Sequence, residues 1–286
     1  MFKKIVTVVL VLFFSLNIAK PALAAAKNSL QIKGSDTMVN LGQAWAEEFN
    51  KIHPEANIAV TGGGSGTGIA ALINGTCDIA ESSRLIEGKE IKQAEARGIM
   101  PNEEIVGLDG IAVVVSPKNP VKNLTINQLR DIFMGNIINW KNLGGENKPI
   151  VILSREVNSG THIFFKEHVL RGGNAKGPEE FSPAALLMPS SQAIADEVSN
   201  NENAIGYYGM GYISPQQKVI AVAKDTNSKF LEPSIEAVRN SSYPISRPLY
   251  LYTNGKPQGI IKEFVDFVYS EKGQAIVKSI DFVPIK

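Results

Sequence analysis

Apolar runs of strand length alternate with amphipathic segments of helical period along nearly the whole chain, and this alternation restricts the fold to the α/β class. "LQIKG" reads as a strand, and the segment after it puts Leu41, Trp45, Phe49 and Ile52 on one helical face. "NIAVT" is the next strand; Ile69, Leu72 and Ile73 then begin a short helix that ends near Gly75, and "CDIAES" follows as strand and loop. "GIAVVVSP" is a continuous apolar run of the kind buried on both faces, closed by Pro117 and Pro120. Thr125 and Gln128 form a capping box for a helix carrying Leu129, Ile132 and Phe133. "PIVILS" returns as a strand, "SGTHIFFKEHVL" opens a helix, and "RGGNAKGPEEFSP" is a loop by composition. Ser190 or Ser191 caps a helix with Ile194 and Val198, and "AIGYYGMGYI" and "KVIAVA" read as strands. "RPLYLYT" is a second long apolar strand, and the last helix carries Ile261, Phe264, Val265 and Val268.

The first residues, "MFKKIVTVVLVLFFSLNIAKPALAAAK", show two lysines, an apolar run from Ile5 to Leu16 and small residues around Ala24–Ala26. That order is a secretory signal peptide, and the run is shorter than the roughly 20 residues of a spanning helix. Cleavage is expected near residues 24–26, leaving an exported protein. Cys77 is the one cysteine, so neither a lipid anchor after the leader nor an internal disulfide is expected. The roughly 260 remaining residues exceed a single common core, so two domains are expected. The long strands near residues 111 and 249 read as crossings between them. Losing Lys3, Lys4 and Lys20 takes 29 basic residues to 26 against 28 acidic, which argues against nucleic acid or an anionic membrane as partner.

Two segments share one local plan. "NIAV", "TGGGSGTG" and a helix, and "IVIL", "SREVNSGT" and a helix, each put Gly, Ser and Thr where a strand hands over to a helix. Backbone N–H groups there lack intrahelical partners and the helix dipole is positive, so an oxyanion is favoured. Plain helix caps are the competing reading of each segment. No Lys follows Gly66 or Gly68, so the loop is not a nucleotide P-loop. Arg155, four residues before Ser159, can reach an anion at the Ser159–Gly160–Thr161 turn, or serve as a surface salt-bridge residue. "GSDT" (34–37) is a third such turn, with Asp36 or Thr37 as an ordinary cap in its competing reading, and "ESSR" (81–84) is a fourth candidate. His162 and His168 are wrongly spaced for metal ligation, and His162 reads as a surface helix residue.

In this order, "GSDTMVNLGQAWAEEF", "GGGSGTGI", "DIAESSR", "LRDIFMGNIINW", "SREVNSGT" and "IGYYGMGY" resemble the periplasmic phosphate-binding proteins of the phosphate-specific (Pst) ABC transporter. The resemblance implies a type II periplasmic-binding fold: two α/β domains, joined by crossing strands, closing on one phosphate. It implies domain 1 over residues 27–114 and 246–286 and domain 2 over 115–245. It also implies inorganic phosphate as ligand, a membrane permease and an ATPase of an importer as partners, a monomer, no cofactor, no metal and no catalysis. Carried over by position, Arg155, Ser159, Gly160 and Thr161 form one jaw, with Ser65 and Gly66, the turn Ser35–Asp36–Thr37, and Ser83 opposite.

Ser83 stands where many family members have an acid, and Asp36 where they have Thr. Phosphate keeps a proton at neutral pH that sulfate lacks, so a carboxylate acceptor favours phosphate. Asp36 is therefore expected to supply the acceptor that Ser83 does not, with helix capping as its competing role and Glu81 or Asp78 next in line. Other functional readings are a binding protein for another oxyanion such as sulfate or molybdate, and an exported phosphate-ester hydrolase.

Overall fold

The computed structural model describes residues 28–285; the signal-peptide reading lies outside the described residues. Strand β1 (Ser29–Gly34) leads to helix α1 (Val39–Asn50), β2 (Asn57–Thr61) to α2 (Ser65–Ile73), and β3 (Ile79–Ser82) to α3 (Gly88–Glu95). β1 pairs in parallel with β2 on one side and β3 on the other. The second half holds β5 (Asn123–Thr125), α4 (Ile126–Phe133), β6 (Val151–Arg155), α5 (Gly160–Phe165), β7 (Leu186–Met188), α6 (Ser191–Asn200), β8 (Ala204–Gly209), β9 (Lys218–Ala223) and α7 (Ile235–Arg239). The chain then returns through β10 (Ser246–Asn254) to α8 (Gly259–Tyr269) and α9 (Glu271–Ser279) beside the first half.

β4 (Pro101–Val115) joins the two halves. Its residues up to Gly110 pair antiparallel with β10, whereas Ile111 to Val115 pair with β8. The resulting strand order is β2-β1-β3-β10-β4-β8-β6-β7, with parallel strands on either side of the β10–β4 pair. Two α/β halves on one crossing strand bring the ends of β1, β2, β3 and β6, and the helices that follow, to a common cleft.

The first ten residues of β4, "PNEEIVGLDG", did not read as strand because their charges interrupt the apolar run. Two tyrosines satisfy those charges: Tyr252 donates to Glu103 at 3.0 Å and Tyr269 to Glu104 at 2.8 Å. Ile52 does not join the face formed by Leu41, Trp45 and Phe49. α1 stops at Asn50, the approach to Pro54 disfavours further helix, and Ile52 is 57% exposed. The Thr125–Gln128 capping box is present, and Ser190 rather than Ser191 caps α6 by accepting from Ala193 N–H. The expected single last helix is two, parted at Ser270, whose hydroxyl caps the second. After α5 the backbone widens into one π turn over Lys166–Leu170.

Candidate functional site

Three junctions of the first half and one of the second meet across the cleft, and their hydroxyls touch. Ser35 Oγ donates to Ser83 Oγ at 3.0 Å, and Ser83 N–H donates to Ser65 Oγ at 3.0 Å. From opposite halves, Thr37 Oγ1 and Thr161 Oγ1 lie 2.9 Å apart. All five residues are at most 1% exposed. Gly160 makes this approach possible, since a Cβ there would stand 2.3 Å from Ser65 Oγ and 2.7 Å from Ser83 Oγ. Only a residue without a side chain lets the start of α5 face the start of α2 so closely.

Ser159 caps α5, its Oγ accepting from the N–H groups of Thr161 and His162 at 3.2 and 3.4 Å. A hydroxyl that accepts from the backbone still has its own hydrogen to give, so the cap and the oxyanion readings coexist. Ser65 begins α2, a helix of nine residues, and its hydroxyl does not cap it. Gly66 behaves differently from the expectation: its N–H donates to Asn158 O at 3.0 Å and is engaged by the other half of the protein. The glycine-rich loop thus admits Asn158. Gly64, at φ 92° and 2.8 Å from Asn158 O at its would-be Cβ, leaves no room for a side chain, while Asn158 Nδ2 donates to Gly63 O at 2.8 Å.

Asp36 is not a helix cap. α1 starts at Val39 after Met38, which makes no side-chain cap, and Thr37 does not cap it either. Asp36 Oδ1 instead accepts from Gly63 N–H at 2.9 Å and Oδ2 from Arg155 Nη2 at 2.7 Å. The second contact ties one half to the other. Arg155 is no surface residue: it is 1% exposed, with Met188 O, Pro189 O and Ser191 Oγ taking its other bonds. Tyr212 closes the same edge by donating to Asp36 O at 2.6 Å.

Two buried residues beneath this group escaped the sequence reading. Arg247, on β10, donates from Nε and Nη2 to Asp109 Oδ2 on β4 at 3.0 and 2.8 Å, and Asp109 Oδ1 accepts from Met210 N–H. Burial raises the Asp109 carboxyl and lowers the Arg247 guanidinium from their usual ranges, and their contact opposes both shifts. With two donors on one carboxylate oxygen and a third on the other, the pair is ionic. The clue was an Asp directly before the apolar run "GIAVVVSP" and an Arg directly before the apolar residues of "RPLYLYT", where a charge is buried only with a partner.

His162 is buried, not on the surface. Its Nδ1 is 3.2 Å from Ser154 Oγ, which is 2.8 Å from Tyr207 Oη, and its ring lies against Phe181. Burial, aided by Lys166, holds its pKa down at about 4, so at neutral pH it is an uncharged support behind Arg155. Glu81, next to the serines on β3, is completely buried, and neither carboxylate oxygen has a hydrogen-bond partner. Burial pushes its pKa well above the usual carboxylate range. Its side chain faces α1, where a Cβ on Gly42 would be 2.2 Å from Oε1. Asp78, the other fallback acceptor, is turned away and takes the N–H of Gln31 at 2.7 Å.

Residues 19–272 match the description of a PBP superfamily domain. The phosphate-binding protein PstS of Pseudomonas aeruginosa is 32% identical over 279 residues, covering 92% of this chain and 84% of that protein. The Bacillus subtilis protein of the same name is 34% identical over 261 residues, 91% and 82% of the two chains. A Clostridium perfringens structure, described as a phosphate ABC transporter substrate-binding protein with bound phosphate, superposes with a TM-score of 0.81 at 36% identity, covering 91% of this chain and 100% of that one. An ABC-type phosphate transport receptor from Vibrio cholerae gives 0.71 at 30% identity over 89% and 99% of the chains.

Proposed function

Since the chain belongs to the PstS family of phosphate-binding proteins, within the PBP superfamily, we propose that its cleft captures inorganic phosphate outside the cytoplasm and delivers it to an ABC importer. The observation that carries this reading is the meeting of Ser35, Thr37, Ser65 and Ser83 with Ser159, Gly160 and Thr161 at helix starts, in a buried cluster of hydroxyls in contact with one another. Such a place suits an anion that has shed its hydration shell. Arg155 supplies a fixed positive charge at the edge. Asp36, with two of about four acceptor sites in use, takes the proton that phosphate carries. Gly66 serves through its contact with Asn158, holding the jaws in register.

The two jaws belong to domains at 27–114 plus 246–286 and 115–245. The leader is removed near residues 24–26, leaving a periplasmic monomer that hands phosphate to a permease powered by an ATPase. Among the described residues no helix is long and apolar enough to cross a membrane. The role is capture without turnover, as the relatives' names support.

Binding to the folded form alone stabilises it by RT ln(1 + [L]/Kd), about 2.7 kcal/mol at a hundredfold excess over Kd. A rise in melting temperature with phosphate, and no hydrolysis of a generic phosphate ester, is the expected result. An unchanged melting temperature at saturating phosphate, or ester turnover that follows the purified protein, refutes it.

A further inference from the structure

The glycine-rich loop that opens α2 is fitted around one residue of the other half. Asn158 Nδ2 donates to Gly63 O at 2.8 Å and to Thr67 Oγ1 at 3.2 Å, while Asn158 O accepts from Gly66 N–H at 3.0 Å. A Cβ on Gly64 or Gly66 would stand 2.8 or 3.2 Å from that carbonyl, so the loop is bare where Asn158 enters. Gly63 N–H is spent on Asp36 and Gly66 N–H on Asn158, which leaves neither for an ion. On its own side Asn158 sits in a turn that does not need its side chain. Ser159 N–H donates to Glu156 O at 2.9 Å, and Glu156 N–H to Met188 O at 3.2 Å. Its neighbour Val157 is 68% exposed, so the turn lies outside the core.

We propose that Asn158 is a positioning residue, a latch whose side chain bonds only to the opposite half and thereby sets how long phosphate stays in the closed cleft. The inference rests on the phosphate reading above. Contacts that form only when the halves meet shift the balance between open and closed forms toward the closed one, by as much as those contacts are worth. Phosphate enters and leaves through the open form. A latch of this kind therefore slows release, leaves the rate of entry as it is, and tightens affinity through release alone. The Asp36–Arg155 contact also bridges the halves, but its charges lie beside the anion. Asn158 is uncharged, so its loss changes closure without changing the field at the ion.

The test uses the whole protein and radiolabelled phosphate: equilibrium dialysis gives the affinity, and a chase with excess unlabelled phosphate gives the release rate. Asn158→Ala removes both amide bonds and keeps the carbonyl. It should release phosphate roughly tenfold faster and bind it weaker by the same factor, with the association rate constant within about twofold of wild type. Thr67→Val removes only the longer of the two bonds and should speed release about twofold to threefold; in the double variant this effect should vanish, because its partner is already gone. Without phosphate, all three variants should melt within about two degrees of wild type, a readout that a merely structural role would move. An unchanged release rate in Asn158→Ala, a loss of affinity carried by the association rate, or a Thr67→Val effect that persists in the double variant overturns the proposal and leaves the phosphate reading standing. A wild-type protein that binds no phosphate overturns both.

Discussion

Arg155 and Asp36 form a contact between opposite halves, and that position decides what each substitution does. Arg155→Ala removes one partner of a buried charge pair and should weaken phosphate binding by about 2–5 kcal/mol, because Asp36 is left facing the anion without its counter-charge. The folded protein should persist, since α5 and α6 keep their own caps; calorimetry with phosphate, and a melting curve without it, check the two halves of the statement. Binding as tight as in the parent would remove Arg155 from the site. Glu81 gives a stability prediction instead. Its pKa is higher folded than unfolded, so the folded state holds the extra proton, and stability is fully present below the unfolded value and falls as pH rises through the folded one. Glu81→Gln cannot ionise. It should be the more stable protein on the alkaline side, because there only Glu81 must place an unpaired charge in a buried position. Denaturant titrations at several pH values should show the two stability curves diverging upward in pH; parallel curves would mean that Glu81 is solvated.

At the scale of elements, the strand-to-helix junctions were legible because glycine, serine and threonine gather there, although helix capping is their common other use. The capping box at Thr125 was legible for the same reason: its chemistry is complete within four residues. What stayed hidden depends on partners far away in sequence. His162 looked like a surface residue because nothing nearby tells of Ser154 and Tyr207, and β4 looked short because the tyrosines that satisfy Glu103 and Glu104 come from β10 and α8. The Asp109–Arg247 pair joins residues 138 positions apart, beyond any local pattern. The order Gly160 then Thr161 was readable, but not its reason, which is the approach of Ser65 and Ser83. Gly160→Ala tests that reason. A methyl group 2.3 Å from Ser65 Oγ must hold the two jaws apart, so phosphate affinity should fall at least tenfold, while the protein without phosphate melts within a few degrees of wild type because alanine favours a helix over glycine. Undiminished affinity would show that the jaws do not meet as described.

For the molecule as a whole, two α/β halves share a core that runs from Trp45 and Phe264 in the first to Phe133 and Phe165 in the second, crossed by the apolar stretch Ile111–Val115 of β4. The hydroxyls that line the cleft come from both halves, and neither half alone can replace the hydration shell of an ion. On the proposed reading, capture and closure are one event. The central claim, that this cleft is a phosphate site, is tested most directly by isothermal titration of the purified protein with phosphate at neutral pH, repeated in the presence of excess sulfate. The account predicts one phosphate per chain, with an affinity that excess sulfate leaves unchanged, because the Asp36 carboxylate accepts a proton that sulfate does not offer. No heat with phosphate, or displacement of phosphate by sulfate at comparable concentration, would contradict it.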